Sequence, residues 1–225
     1  MPPRIPITRA RVLEAALRLV NERGANGLTM RALAAELDIE APSLYKHVSS
    51  KDEILDGLCE LVYKQVDIKD LGDEWHERLK AYAHAFRCAL LANRNVACIL
   101  ATRPVATEES MILVEASLNE FVQSGVDAET GRKLLNIIVG LVVGHVLSEV
   151  ADQAAGAAEH ERLATFRTSL DPAQFPLTLA TVAASPADRD AEFDLALDLL
   201  IEGIAIRYGD RLAHAKAIAS DRAYS

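Results

Sequence analysis

The chain has 225 residues, half of them hydrophobic and a quarter charged, with a net charge of −9, and this composition is typical of a soluble globular protein. Its longest apolar run, 134–147, is shorter than the roughly 20 residues that a membrane-spanning helix needs. The N-terminal residues do not resemble a signal peptide, and Cys59, Cys88 and Cys98 lack metal-ligand spacing, which indicates reduced thiols. We therefore expect a soluble, cytoplasmic protein with no membrane partner.

The charge is distributed unevenly along the chain. Residues 1–51 contain eight Lys and Arg against five Asp and Glu, a net charge of +3, which leaves −12 for the remainder. A basic segment on an acidic body is suited to docking on a phosphate backbone through one end only. The negative total therefore does not exclude nucleic acid as a partner.

Apolar residues recur at helical period almost throughout the chain, and no segment alternates like a strand, so we predict an all-α fold. In the N-terminal part, Thr8 is a predicted N-cap and Gly24 suits the left-handed conformation that ends a helix. Pro42 fits the first turn of a helix, and Ser50 with Glu53 predicts a capping box. The helices predicted here are 8–22, 29–37, a short one from Ala41, and a long one from Ser50 towards Val66.

The rest of the chain continues as helices that are separated by Pro104 and Gly125. The alanine-rich, charged stretch 154–170 has no firm pattern and is predicted to be a connection. The helices predicted in this part are 74–92, 96–102, 107–124, 128–153, one that begins at 171–172, and one that runs from 185–188 to about Tyr208.

Residues 28–48 contain two helices that are too short to be stable without mutual packing. The packing residues are predicted to be Leu33, Ala34, Leu37, Ile39 and Leu44. The outward side chains are short or hydrogen-bonding, so they can reach base edges and phosphates in a major groove. This pattern indicates a helix-turn-helix whose candidate DNA-binding residues are Thr29, Arg31, Ala41, Pro42, Ser43, Tyr45, Lys46, His47 and Lys51. The alternative, a hairpin buried in a helical bundle, would not present so many polar side chains together.

The same segment carries a family resemblance. Residues 27–29, 33–34 and 42–48, with Lys51 and Leu55, resemble the DNA-binding domain of the TetR family of transcriptional regulators. Residues 86–91, 102–104 and 193–204 resemble the regulatory domain of tetracycline repressors. One departure is Asp38, at a position of the turn that often holds glycine, but aspartate tolerates left-handed geometry better than most residues.

The resemblance implies a ligand-inducible repressor that binds a palindromic operator in double-stranded DNA as a homodimer. Its last two long helices would form a four-helix bundle with those of the partner. The apolar run 134–147 agrees, because a soluble helix that is apolar all round must be covered on several sides. The alternative is a core formed within one chain. The dimer is favoured because a protein that reads a two-fold symmetric DNA site needs two DNA-binding domains about 34–36 Å apart. The implied parts are a DNA-binding domain over 1–50, a linker helix over 51–66, a ligand-binding and dimerisation domain over 67–210, and a tail over 211–225.

The resemblance also implies an effector site between the helices of the regulatory domain. By position, its ligand-binding residues would be Asp67, Tyr82, Phe86, Thr102, Ser117 and His145, and for each of them a core or surface role stays open. Tetracycline repressors have a magnesium-binding histidine before Thr-Arg-Pro, but 97–101 has no oxygen or nitrogen side chain. His145 and Glu149 lie one helical turn apart, and two ligands do not make a metal site. We therefore expect a small organic effector, without metal or cofactor.

An enzyme is not predicted from this sequence. The six histidines are scattered, and there is no nucleophile elbow, phosphate loop or paired metal motif. A helical small-molecule carrier that has lost DNA binding is the remaining alternative. The basic helix-turn-helix surface favours the regulator.

Overall fold

The computed structural model describes residues 6–66, 74–103, 107–184 and 188–223. Within these ranges every regular element is an α-helix, which confirms the all-α prediction. The helices are α1 (Arg9–Gly27), α2 (Met30–Glu36), α3 (Ala41–Leu44), α4 (Lys51–Tyr63), α5 (Trp75–Ala92), α6 (Arg94–Thr102), α7 (Glu108–Gln123), α8 (Ala128–Ala154), α9 (Ala157–Thr168), α10 (Pro176–Ala184) and α11 (Arg189–Ala223). Asp67 and Pro104, both named in the sequence predictions, lie outside the described residues.

The chain divides into two compact units, one formed by residues 1–146 with 210–225 and the other by residues 147–209. In the first unit, α1 packs against α2, α4 and α6, and α4 also packs against α5, α6 and α7. Helix α4 is therefore the central element of this unit.

Helix α1 begins where its sequence predicts an N-cap, and it is interrupted at the glycine where its end was predicted. The hydroxyl of Thr8 accepts a hydrogen bond from the backbone N of Arg11 at 3.3 Å. Gly24 has the positive φ expected there, 72°, but its ψ of 172° is not that of a left-handed helical cap, and the helix resumes after this kink and ends at Gly27. The face towards the core consists of Val12, Leu13, Ala15, Ala16, Leu19 and Val20.

Helices α2 and α3 cross through a small apolar contact. Leu33, Ala34 and Leu44 are buried, with 0 to 3% of their surface exposed. Between the helices, Asp38 has a φ of 53°, so the aspartate takes the left-handed conformation that its place in the turn requires. The backbone N of Ile39 donates to the carbonyl of Ala34 at 3.0 Å and closes the turn.

The N-terminus of α4 carries a modified version of the predicted capping box. The hydroxyl of Ser50 accepts from the backbone N of Glu53 at 3.1 Å, as predicted. The carboxylate of Glu53 does not return to Ser50; it accepts from the backbone N and the hydroxyl of Ser49 at 2.7 and 2.8 Å. These bonds, with a smaller contribution from Arg9, lower the pKa of Glu53.

Contact between α1 and α4 depends on the absence of a side chain at Gly57. A Cβ atom at this position would lie 2.6 Å from Cδ2 of Leu13, closer than real Cβ contacts come. Leu13 is itself buried, with 2% of its surface exposed. Any side chain at residue 57 would therefore force the buried Leu13 side chain to move.

Helix α8 is long and apolar enough to cross a membrane by length and composition alone, and a third of its most apolar window is buried. Ile138, Val142 and Val146 lie in the core, whereas Ile137 is 51% exposed. On the exposed side, a Cβ atom added to Gly140 or Gly144 would meet nothing within 4 Å.

The structure corrects three sequence predictions for residues 154–223. Helix α9 occupies 157–168, where a connection was predicted. The predicted helix start at 171–172 is wrong, because Asp171 forms a turn in which its carboxylate accepts from the backbone N of Ala173 at 2.9 Å, and α10 begins at Pro176. The last helix continues past Tyr208 to Ala223.

Candidate DNA-binding surface and effector site

The predicted DNA-binding residues are accessible in the structure. Thr29, Arg31, Pro42, Tyr45, Lys46 and Lys51 are exposed, and Ala41, Ser43 and His47 are partly exposed. Helix α3 has only four residues, and Tyr45, Lys46 and His47 follow it in a turn. Leu33, Ala34 and Leu44 point inwards, and the exposed surface of this segment combines polar side chains with Pro42 and the ring of Tyr45.

Two of these residues have structural contacts as well. The hydroxyl of Thr29 caps α2 by accepting from the backbone N of Ala32 at 3.0 Å. The ammonium group of Lys51 donates to the carbonyl of Ala25 at 3.5 Å and connects the start of α4 to the end of α1. Both side chains remain exposed, so these contacts leave room for a phosphate partner.

Ion pairs attach α4 to α1 on one side. Arg9 contacts Glu53 and Glu60, each at 3.5 Å. The carboxylate of Glu60 is nearly buried, with 4% of its side chain exposed, and Lys64 is its second partner. A buried carboxylate requires such partners, because a charge without them would be strongly destabilised in the protein interior.

Arg103, directly after α6, attaches the other end of that helix to α4. Its Nη1 lies 2.9 Å from Oδ1 of Asp52, and its Nη2 lies 3.0 Å from Oδ1 of Asp56. Nε of the same guanidinium donates to Asp56 at 3.2 Å. About a quarter of the Arg103 and Asp56 side chains is exposed, 27% and 25% respectively. We define Arg103, Asp52 and Asp56 as the arginine clamp.

Side-chain amides connect the start of α6 to α1 and to the end of α4. Asn93, 5% exposed, donates to Gln65 and to the carbonyl of Ala89, both at 2.9 Å. Its own carbonyl oxygen accepts from Asn21 at 3.3 Å. Asn95 donates to the carbonyl of Val20 at 2.9 Å. Neutral hydrogen bonds thus hold one end of α6, and the arginine clamp holds the other.

Two of the predicted effector residues, Tyr82 and Phe86, lie together, and Thr102 and Ser117 make local hydrogen bonds. The rings of Tyr82 and Phe86 stack with centroids 6.2 Å apart. The hydroxyl of Thr102 donates to Ile99 at 3.1 Å, and that of Ser117 donates to Leu113 at 2.9 Å, each within its own helix. His145 is partly exposed on α8.

Tyr63, the last residue of α4, was not among the site residues predicted from the sequence. Its ring stacks on Phe86 with centroids 5.4 Å apart and 13° between the planes. Burial raises the pKa of both Tyr63 and Tyr82. Sequence spacing does not identify it, because its stacking partner Phe86 lies on another helix.

No cluster of three His, Cys, Asp or Glu residues that could hold a metal ion occurs in the part of the chain that the structure describes. In residues 97–101, where tetracycline repressors have a magnesium-binding histidine, Ala97, Ile99 and Leu100 are buried. The apolar side chains of α6 thus serve to pack the core.

Comparisons with known proteins agree over nearly the whole chain. Residues 12–58 match the family model of bacterial regulatory proteins of the tetR family, and residues 69–208 match that of the tetracyclin repressor-like C-terminal domain. The tetracycline repressor protein class A from transposon 1721 of Escherichia coli is 36% identical over 200 residues, 87% of this chain and 89% of that protein.

Two solved structures extend the similarity to the fold. The TetR family protein ActR from Streptomyces coelicolor, in complex with actinorhodin, has a TM-score of 0.79 and 26% identity, and the match covers 91% of this chain and all of that one. A TetR variant from Acinetobacter baumannii in complex with minocycline has a TM-score of 0.68 and 28% identity, covering 88% and 97% of the two chains.

The arginine clamp can be tested by a double-mutant cycle. Arg103→Gln and Asp56→Asn, alone and together, should give a coupling free energy of about 0.5–1 kcal/mol in thermal unfolding, and the coupling should fall as salt is added. The control cycle, Arg162→Gln with Glu159→Gln, removes a more exposed pair and should show less coupling. A coupling of zero for the clamp would show that its geometry does not stabilise the protein.

Proposed function

The chain belongs to the TetR family of bacterial regulatory proteins, and we propose that it is a ligand-inducible repressor that binds a palindromic operator as a homodimer. Members of this family are DNA-binding transcriptional regulators whose C-terminal domains bind ligands. The observation that carries the proposal is the set of exposed polar side chains on and directly after α2 and α3, a segment that packs on α1, which packs in turn on α4 and α6.

In the proposed complex, the segment around α3 enters the major groove of the operator. Ala41, Pro42, Ser43, Tyr45, Lys46 and His47 would face base edges, and Thr29, Arg31 and Lys51 would contact phosphates. The net charge of +3 on residues 1–51, against −12 on the remainder, favours docking through this end. Long-range repulsion would keep the acidic body away from the DNA.

A homodimer is supported by apolar side chains that the isolated chain leaves exposed. On α8 these are Ile137 and the open surface at Gly140 and Gly144. On α11, Leu195, Leu199 and Ile206 are exposed by 61%, 62% and 89%. Exposed apolar stripes of this kind are typical of protein interfaces. We propose that the same faces of a second copy cover them, and that the protein is cytoplasmic with no membrane partner.

We propose that different parts of the chain have different roles. Residues 1–50 read DNA, the linker helix over 51–66 transmits the signal, and residues 67–210 bind effector and partner, followed by a tail over 211–225. An effector releases DNA only if it binds the non-operator conformation more tightly. We propose that effector binding shifts α6 and that the arginine clamp transmits this shift to α4. The movement of α4 would then change the distance between the DNA-binding domains of the two protomers.

The effector is proposed to be a small organic molecule that binds without a metal ion. Relatives in complex with actinorhodin and with minocycline support an organic effector. The site would be lined by residues among Asp67, Tyr82, Phe86, Thr102, Ser117 and His145. The apolar replacement at 97–101 supports binding without magnesium, because the protein ligand expected for that ion is missing.

Sequence-specific DNA binding can be measured with operator and random duplexes. Arg31→Ala should weaken binding to both, and it should reduce the slope of log affinity against log salt by about 0.9. Lys46→Ala should instead change base preference, by about 1–3 kcal/mol at the contacted position. Arg162→Ala, on the acidic body, is the control and should bind as wild type. A wild-type protein that does not prefer a palindrome near its own gene over random DNA would favour the carrier alternative.

The dimer interface can be tested by sedimentation at micromolar concentration. Ile137→Glu and Leu199→Glu each place a charge in the proposed apolar interface, where it would lose its hydration, so both variants should sediment as monomers. Ile112→Glu is a matched control, since Ile112 is also exposed, by 61%, but lies on α7, outside the proposed interface. A wild type that sediments as a monomer would contradict the proposal.

Independence from metal can be tested by operator release. Any organic effector found for the protein should release operator equally well in magnesium and in EDTA. Tetracycline with magnesium should leave the complex intact, because 97–101 offers no side-chain ligand to the ion. Release by tetracycline that requires magnesium and is abolished by EDTA would overturn this part of the proposal.

A further inference from the structure

We propose that Asn93 is the pivot of α6, and that with Asn95 it couples α6 directly to α1, by a route that does not pass through α4. The inference rests on the proposed function, because it names residues that would carry the effector signal to the DNA-binding segment. It goes beyond the arginine clamp, which connects α6 to α4 only. We define Asn21, Asn93 and Asn95 as the amide latch.

Asn93 is the single residue between α5 and α6. Its backbone N donates to the carbonyl of Leu90 at 3.0 Å and ends α5, and its carbonyl accepts from the backbone N of Val96 at 2.8 Å and begins α6. Its φ of −129° and ψ of 53° are not helical. The angle between the two helices can therefore change by rotation at this one residue.

The side chain of Asn93 is used for contacts outside α6. Asparagine is a favoured N-cap because its side-chain oxygen can accept from the first turn of the helix, but Asn93 makes no such bond. Instead, its Oδ1 accepts from Nδ2 of Asn21 on α1 at 3.3 Å. Its Nδ2 donates to Gln65 and to the carbonyl of Ala89, both at 2.9 Å. Three bonds at a residue that is 5% exposed fix the orientation of this amide.

Asn95 makes the second contact with α1, just before the point where that helix is interrupted. Gly24 has non-helical backbone angles, and the last four carbonyls of a helical segment have no partner within it. Nδ2 of Asn95 donates to two of these carbonyls, those of Val20 and Asn21, at 2.9 and 3.2 Å. The first turn of α6 thus caps the main segment of α1. A movement of α6 must either carry the end of α1 with it or break these bonds.

The position of α1 gives the amide latch a consequence for regulation. Helix α1 packs on α2 as well as on α4 and α6, so a displacement of α1 reaches the DNA-binding segment through α2. The two attachments of α6 then have different roles. The arginine clamp holds the end that moves, and the amide latch positions the pivot. Asn21, Asn93 and Asn95 are positioning residues, because in the proposed complex they contact neither DNA nor effector.

The test measures amide hydrogen exchange with and without a saturating operator duplex, the palindrome near the protein's own gene. In the wild type, operator should slow exchange in α6 over 94–102, because coupled sites affect each other reciprocally. Asn21→Ala removes the donor to Asn93 at an exposed residue and leaves no cavity in the core. It should reduce the slowing in α6 by about 2- to 13-fold, the value of one net hydrogen bond, and leave the slowing in α2 over 30–36 unchanged. Asn95→Ala should act in the same way.

Control variants separate coupling from stability. The quantity compared is the ratio of exchange rates in the free and bound states, because a merely structural loosening of α6 speeds exchange in both. Asn21→Gln keeps an amide that can donate and should restore the slowing. Asn119→Ala removes an exposed amide on α7 and should behave as wild type. Arg103→Gln opens the arginine clamp and should retain the part of the slowing that the amide latch carries, which the double variant with Asn21→Ala should lose.

The inference is overturned if the wild type binds the palindrome without slowing in α6, or if Asn21→Ala and Asn95→Ala both keep the wild-type slowing. It is also overturned if Arg103→Gln alone abolishes the slowing, or if Asn21→Gln does not restore it. A wild type that does not prefer the palindrome over random DNA would instead count against the proposed function. Preference for the palindrome with unchanged slowing in both alanine variants would count against the amide latch alone.

Discussion

Helix α4 packs against two groups of helices at once, and the rest of the first unit is arranged around it. On one side, Gly57 leaves room for the buried side chain of Leu13 of α1, which would have to move if residue 57 carried a Cβ atom. On the other side, Tyr63 stacks on Phe86 of α5. Because α4 is a single continuous helix of 13 residues, held along its length by i to i−4 backbone hydrogen bonds, a displacement at one end is transmitted to the other. A protein that couples two sites needs such a shared rigid element.

Helix α6 is attached at both ends, by interactions of different physical kinds. At its start, the amide of Asn93 and that of Asn95 bond to α1 and α4, and neutral hydrogen bonds of this kind are insensitive to salt. At its end, Arg103 pairs with two carboxylates of α4, and salt screens partly exposed ion pairs. The two anchors therefore differ in how easily they open, which makes the charged end of α6 the more adaptable one.

Features that are set locally could be predicted from the sequence. The left-handed turn at Asp38 follows from its place between two short helices. The candidate effector residues came instead from the family resemblance. Helix α9, 157–168, was not predicted because its apolar residues form no stripe. Asp171 was misassigned because aspartate before proline begins turns as readily as helices. Tyr63 was missed because its importance depends on a ring from another helix, and sequence spacing within one helix cannot show that contact.

The most direct test of coupling through α4 is hydrogen exchange of the free protein and of its complex with operator DNA. In the proposed complex, DNA contacts only the DNA-binding segment over 29–51. Helix α4 connects this segment to the helices of the proposed effector site. Operator binding should therefore slow amide exchange in α4 over 55–63 and in α6 over 94–102, beyond any proposed DNA contact. Protection confined to the reader, with α4 and α6 exchanging as in the free protein, would contradict a coupling role for α4.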